Sequence, residues 1–363
     1  MIEIDIWENK LEEAEAHAAY QAVMDRCVSD GRIVKAMEEK IGELREVPYV
    51  IATPNGTSAL LLALMAAGVG PGDEVIVPDI TFIATANAAK ILGATVVVAD
   101  TMEHVPVISE ESVMRLLTEK TKVVLPVHIN GHIACTKQLR ENMHQREILV
   151  IDDACQAFLS GRKGDYAGSH ADIACYSMGI SKTAASGQGG FVTTSNEKLY
   201  RLMKKLKTQG LDSLFVRENY TVAGFNFKMS DILAAIGLVQ LEKIDKKINH
   251  LWEVYHQYQE GLKGAEGISF IPRKEYELPW MTYILCENRD AAKLYLEKRG
   301  VVARDIGECL HRAAYLEARD EYVHSEKFER QILALPSGPD QPLEHVQKVC
   351  QYLREGSQNL WNA

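Results

Sequence analysis

The order of apolar and polar residues along this chain predicts short buried strands alternating with helices. Residues 12–44 carry a helical period, interrupted at Ser29-Asp30-Gly31 where turn formers cluster. Tyr49-Val50-Ile51-Ala52 then leads through Pro54-Asn55-Gly56 into an apolar helix over residues 58–67, and Pro71-Gly72-Asp73 turns into Glu74-Val75-Ile76-Val77. A helix over 84–92 precedes Thr95-Val96-Val97-Val98, and further apolar runs follow at 122–127 and 148–151. A strand with one wet face alternates polar and apolar; these do not, so a largely parallel sheet covered on both faces is expected.

A long amphipathic helix is read over 230–248, continuing towards Trp252 and Tyr255. After it come a strand near 280–286, a helix near 290–299 and a last helix near 343–354, the outline of a smaller α+β unit. The boundary is placed near residue 245, with N-terminal helices and a large domain over 1–245 and a small domain over 246–363. At 363 residues two domains are the natural division.

A net charge of −10 counts against a nucleic-acid partner. The nearest basic cluster, Arg201, Lys204, Lys205 and Lys207, reads as a solvated helix face. Seven scattered cysteines without a CxxC pair fit neither a metal site nor a disulfide framework, and Cys155 and Cys175 read as small core residues. No apolar run reaches bilayer-spanning length, and no basic segment followed by an apolar one opens the chain. A cytoplasmic protein with no membrane partner is expected.

Four constellations follow strands or sit on turns, where α/β enzymes carry their functional groups. Asn55-Gly56-Thr57-Ser58 opens an apolar helix, whose unpaired N–H groups suit a phosphate; a plain N-cap is the equal alternative. Asp152 and Asp153 end an apolar strand, where a carboxylate needs a charged partner such as a protonated pyridine nitrogen or a metal ion. Solvated aspartates in a loop are the plainer reading. Ser177-Met178-Gly179-Ile180-Ser181-Lys182, followed by Gly187-Gln188-Gly189-Gly190, puts a lysine among small residues. Desolvation there favours a neutral, nucleophilic amine, and the glycines leave room for a flat ring; a snorkelling lysine is the alternative. Gly224-Phe225-Asn226-Phe227-Lys228-Met229-Ser230 ends in a good helix cap.

In this order, these four resemble the sugar aminotransferase family named for DegT, DnrJ, EryC1 and StrS, over about residues 31–349. Pro71 to Pro78 and Pro126-Val127-His128 add to the match, and several motifs in register are far more specific than one. The resemblance implies a fold-type-I transferase dependent on pyridoxal 5′-phosphate, with a mostly parallel seven-stranded sheet between helices and a smaller α+β C-terminal domain. It implies that Lys182 holds the cofactor as a Schiff base and that Asp153 keeps the pyridine nitrogen protonated. Gln156 would lie near the ring hydroxyl, Phe82 on the ring face, and Gly56, Thr57, Ser58 and Ser177 at the phosphate. Asn226 would reach the site of a second subunit, making a homodimer with shared active sites. Departures fall at Met178-Gly179-Ile180, at Asn130 where Tyr is frequent, at Phe158 for His and at Lys228 for Arg.

The implied reaction moves an amino group from L-glutamate to a nucleotide-linked keto-sugar for surface polysaccharide (O-antigen) or glycoside biosynthesis. A 4-keto-6-deoxyhexose aminated at C4 is the first expectation and a 3-keto isomer the next. Lys228, Arg217 and Arg32 are candidates for the diphosphate. An inosose aminotransferase, a related sugar dehydratase and a regulatory protein that binds the cofactor without turnover remain alternatives; Lys182 argues against the dehydratase, which resembles this family but has His there.

Overall fold

Valine and isoleucine stiffen the backbone towards the extended state, and each apolar run read above is a strand. The computed structural model describes residues 3–212 and 220–359. Its strands are β1 (Tyr49–Thr53), β2 (Glu74–Pro78), β3 (Thr95–Ala99), β4 (Thr121–Val124), β5 (Leu149–Asp153), β6 (Gly161–Arg162), β7 (Asp165–Tyr166), β8 (Ile173–Ser177), β9 (Gly190–Thr194), β10 (Ile268–Phe270), β11 (Thr282–Cys286), β12 (Glu317–Ala318) and β13 (Ile332–Leu335). Eight of them form the main sheet, in the order β1-β9-β8-β5-β4-β2-β3-β12. Both neighbours of β9 run antiparallel to it, and the other pairs are parallel. The expected seven strands thus gain an eighth, the two-residue β12, which extends the edge beyond β3.

The helices are α1 (Glu13–Met24), α2 (Arg32–Arg45), α3 (Gly56–Ala66), α4 (Ala84–Ile91), α5 (Glu110–Leu116), α6 (Lys137–His144), α7 (Glu197–Lys207), α8 (Asp231–Glu242), α9 (Ile244–Gly261), α10 (Arg289–Glu297), α11 (Val323–Gln331) and α12 (Leu343–Asn359). The break at 29–31 has a tertiary cause. The buried Asp231 carboxylate accepts the amides of Gly31 (3.2 Å) and Val34 (2.7 Å), capping α2 from the first turn of α8. The long helix expected over 230–248 is two helices. Lys243, with ψ near 0°, interrupts the ladder between them and pairs with Glu15 of α1 at 2.8 Å.

Both faces of the parallel strands are buried, as their lack of alternation requires. Val75, Val77, Val96 and Val98 pack with α3, while Ile76, Val97 and Val124 face α5 and α6. Helix α3 is apolar all round, and its Ala59, Leu60, Leu62 and Leu64 are buried. Lys207 departs from the solvated face read for its cluster: it is buried and paired with Asp30 (3.2 Å) and Glu38 (3.6 Å). Strands β10, β11 and β13 make a separate antiparallel sheet. Its cluster joins Tyr258, Leu296 and Leu353 to Ile4, so the segment at Ile4 packs against the last third of the chain. No helix among the described residues is long and apolar enough to cross a membrane.

Candidate active site

Parallel strands bring their carboxyl ends to one edge, and the loops after β1, β2, β5 and β8 meet there. They surround a cavity of about 400 Å³. Gly56, Thr57, Phe82, Asp153, Gln156, Ser177 and Lys182 all line it. Ser58 and Asn226 do not. Ser58 is half-buried one position further into α3, and Asn226 is exposed, bridged to Thr208 on the chain surface.

At the start of α3, Asn55 is the cap: its side chain accepts the Ser58 amide at 2.8 Å. The amides of the first turn have no partner within the helix, and they open beside Ser177. Gly56 is required by its neighbours, since a Cβ there would lie 2.8 Å from Cys155 Sγ and 3.0 Å from Ser177 Cβ. The Gly189-Gly190 pair departs from the role expected for it. A Cβ on Gly190 would lie 2.5 Å from the Asn55 carbonyl carbon, and one on Gly189 would meet Ser186 and Met229. These glycines let β9 pass between β1 and β8; they do not make room for a ring.

Strand alternation separates the two aspartates. Asp152 points away from the cavity and is fully buried against His128, whose Nε2 is 2.8 Å from its carboxylate. His128 Nδ1 accepts the Ala134 amide at 3.0 Å, so the ring proton sits on Nε2 and is donated to Asp152. Asp153 faces the cavity. Its two oxygens accept from Thr85 Oγ1 (2.7 Å) and the Cys155 amide (3.0 Å), which aim the carboxylate. Asp152 is therefore satisfied by the ring N–H of a buried histidine, and Asp153 is turned to the cavity.

Lys182 sits in a loop with no regular structure. Burial pushes its amine below the usual lysine range, and the negative charge of Asp153 pulls the other way. Its Nζ lies 4.3 Å from the centroid of the Trp280 ring. The sequence marks neither Thr85, Thr81 nor Trp280 as a site residue, and names Gln188 only within the glycine-rich run. Thr85 carried a usable signal, standing one helical turn after Phe82 beyond the end of β2; Trp280 is 98 positions from Lys182 and carried none. Cys155 also departs from expectation, because it lines the cavity, whereas Cys175 is core.

Gln156 accepts the Asn130 amide at 2.8 Å through Oε1. Asn130 has φ 50°, ψ 33°, a left-handed conformation that asparagine tolerates better than tyrosine. Its carbonyl accepts from Arg273 at 2.9 Å and its side-chain oxygen from the Met281 amide at 2.7 Å. Phe158 packs edge-on against Tyr176 and Phe191 in the core. Asp79, Cys309 and His311 place three possible metal donors together. Asp79 takes both the His311 ring (2.8 Å) and its amide (2.7 Å), a closed hydrogen-bond network tethering the loop that carries Phe82. Of the cations considered for a diphosphate, Arg32 is paired with Asp25 at 2.7 Å, Lys228 is half-buried, and Arg217 lies outside the described residues.

The donor set fits pyridoxal phosphate. A buried, doubly oriented carboxylate, an amine with a lowered pKa and a helix N-terminus flanked by hydroxyls share one cavity of ligand-binding size. Phe82, with 70% of its surface exposed, offers a ring face at the mouth.

A model of the DegT/DnrJ/EryC1/StrS aminotransferase family matches residues 9–354. GDP-perosamine synthase of Escherichia coli O157:H7 is 33% identical over 331 residues, covering 90% of this chain and 91% of that protein. Among solved structures, the aminotransferase TlmJ of Streptoalloteichus hindustanus superposes with a TM-score of 0.93 at 25% identity, over 98% of this chain and 99% of that one. DesV of S. venezuelae, solved in complex with a ketimine intermediate, gives 0.89 at 26% identity over 95% of each chain.

Proposed function

This chain belongs to the DegT/DnrJ/EryC1/StrS aminotransferase family, and from that premise we propose that it transfers the amino group of L-glutamate to C4 of a nucleotide-linked 4-keto-6-deoxyhexose. A 3-keto isomer is the second choice. It is a pyridoxal-phosphate-dependent sugar aminotransferase; the ring position and the nucleotide are the proposed part. The observation that carries the reading is the meeting of Lys182 and Asp153 in one cavity at the mouth of α3. The relative named GDP-perosamine synthase supports a nucleotide-linked substrate.

When bound, the cofactor supplies an electron sink for the carbon that loses its proton. The residues around it divide the remaining work. The Thr57 and Ser177 hydroxyls, with the first-turn amides of α3 and Ser58 behind them, would hold its phosphate. Asp153, aimed by Thr85, would hold a proton at the ring nitrogen. Gln156 would lie near the ring hydroxyl and Phe82 on the ring face. Lys182 Nζ takes the α-proton of the amino donor in one half-reaction. In the other it delivers a proton to the sugar carbon that receives nitrogen. One site serving both predicts ping-pong kinetics.

If the diphosphate contributes much of the binding energy, kcat/KM for a nucleotide-linked keto-sugar should exceed that for the free keto-sugar by about a thousandfold or more. The check is a panel of GDP-, dTDP- and UDP-linked 4-keto and 3-keto sugars with glutamate as donor. An inosose turning over faster than every sugar nucleotide would move the enzyme to aminocyclitols. Failure of glutamate to bleach the visible band of the bound cofactor would count for a regulatory protein.

We further propose a homodimer that shares its sites, with Asn226 reaching the partner's phosphate. The support is its exposure outside the cavity of its own chain. Mixing Lys182→Ala with Asn226→Ala protein should restore roughly a quarter of the wild-type rate once subunits exchange, since half the dimers are mixed and each regains one site. An active monomer, or no recovery after proven exchange, would refute it. The division near residue 245 is proposed too, supported by the separate β10-β11-β13 sheet and its own core.

A further inference from the structure

A lysine on an irregular loop owes its aim to whatever grips that loop. Within it, the Lys182 amide donates to Gly179 O (2.9 Å) and the Ser186 amide to Met178 O (2.8 Å). Two grips come from far away in sequence. Trp280, at the threshold of β11, donates its indole N–H to the Ser181 carbonyl at 2.9 Å, and its ring face lies 4.3 Å from Lys182 Nζ. Asn9 donates its side-chain N–H to the carbonyl of Lys182 itself at 2.7 Å.

Both residues are themselves fixed. The Trp280 ring packs on Trp7 with centroids 5.7 Å apart. Asn9 accepts from Lys247 Nζ, a buried ammonium that also donates to Gln240 at 2.6 Å and pairs with Asp340 at 3.7 Å. A lysine ammonium only donates, and the Lys182 carbonyl only accepts, so Asn9 must turn its oxygen to Lys247 and its N–H₂ to Lys182, and the amide can sit only one way round. The N-terminal segment carrying Trp7 and Asn9 is bridged in turn to Ser337 through Trp7.

We propose that Trp280 and Asn9 are positioning residues for Lys182, fixing the carbonyls of Ser181 and Lys182 while the Trp280 ring face receives the lysine's free amine. This rests on the reading of Lys182 as the reacting amine. An ammonium over an indole face is held by the ring's negative face, and a neutral amine more weakly by an N–H···π contact, so the group stays within the cavity when it is not attached to the cofactor. The grip originates outside the large sheet, in the N-terminal segment and at the edge of the C-terminal sheet. Their seating on the loop thereby decides where the amine points.

The test uses the full chain with Trp280→Leu, Trp280→Phe and Asn9→Asp. Asn9→Asp is nearly isosteric and keeps the acceptor for Lys247 but loses the donor to Lys182. Trp280→Leu and Asn9→Asp should lower kcat by roughly 10- to 100-fold, because a displacement of about 1 Å has that effect on a reacting group, with KM for glutamate little changed. Trp280→Phe, which keeps the ring and loses the N–H, should fall between Trp280→Leu and the wild type. Independently of turnover, hydrogen exchange of the cofactor-stripped protein should quicken at the Lys182 and Ser186 amides in Trp280→Leu and Asn9→Asp, with melting temperature nearly preserved in Asn9→Asp. Unchanged kcat in Asn9→Asp and Trp280→Phe, or a fall in kcat with exchange at those amides unaltered, would overturn the proposal. Exchange does not depend on the reaction, so a wild-type chain lacking transaminase activity would defeat the functional reading and leave the exchange test standing.

Discussion

Lys182→Ala should lose transamination by at least about a thousandfold, as expected when one group supplies both the attachment point and the proton transfer. The reason is the composition of the cavity. Lys182 is the single lysine among its described lining residues, and burial already disposes its amine towards the neutral, nucleophilic form. The variant should still fold and still retain cofactor without a covalent link, since the mouth of α3 and the Ser177 hydroxyl are untouched. Single-turnover absorbance with glutamate reads the loss. Borohydride reduction followed by peptide mass analysis reads the attachment, which should fall on Lys182 in the wild type. A reduced adduct on another lysine would sink the assignment, as would a variant keeping more than about a hundredth of wild-type kcat.

The second large effect is expected at Asp153, and its neighbour provides the control. Asp153→Asn keeps the size and an acceptor for the Cys155 amide but removes the charge, so kcat should fall about 100- to 1,000-fold, as when an oriented electrostatic partner is removed from a site. Cofactor affinity should drop by about tenfold or more with the charge-assisted hydrogen bond. Asp152→Ala should behave in the opposite manner. It leaves the His128 N–H unpaired in the core and should cost about 1–3 kcal/mol of stability in a urea titration. Its kcat should stay within several-fold of wild type, because that carboxylate lies on the far face of the strand. Kinetics and unfolding curves for both variants decide the matter. Equal kinetic damage from the two would mean that strand alternation does not assign their roles.

Much of this was legible in the residues because it is local. Runs such as Thr95-Val96-Val97-Val98 read as strands buried on both faces, and Asn55-Gly56-Thr57-Ser58 as the opening of an apolar helix, which they are. The motifs stood in register with a known family, and three of the four, those carrying Gly56, Asp153, and Ser177 with Lys182, converge on one cavity, while Asn226 of the fourth lies outside it. What was not legible depends on partners distant in the chain. Nothing beside Asp152 announced that its hydrogen-bond donor would be His128, 24 positions earlier, or that Gly190 is required by the backbone of Asn55. The break between α8 and α9 was hidden because Lys243 fits the amphipathic period; its pairing with Glu15 is a tertiary contact.

The sequence by itself determined the alternation of strand and helix and where an apolar helix opens after β1, since these follow from side-chain chemistry and neighbours a few positions away, and its motifs in register carried the family resemblance that names the candidate site residues. Only the tertiary structure decided what aims Asp153, what Asp152 pairs with, and what grips the lysine. Those are settled by sheet order and by contacts such as Asn9 to Lys182 and Trp280 to Ser181, which span 173 and 99 positions and leave no periodic trace in the chain.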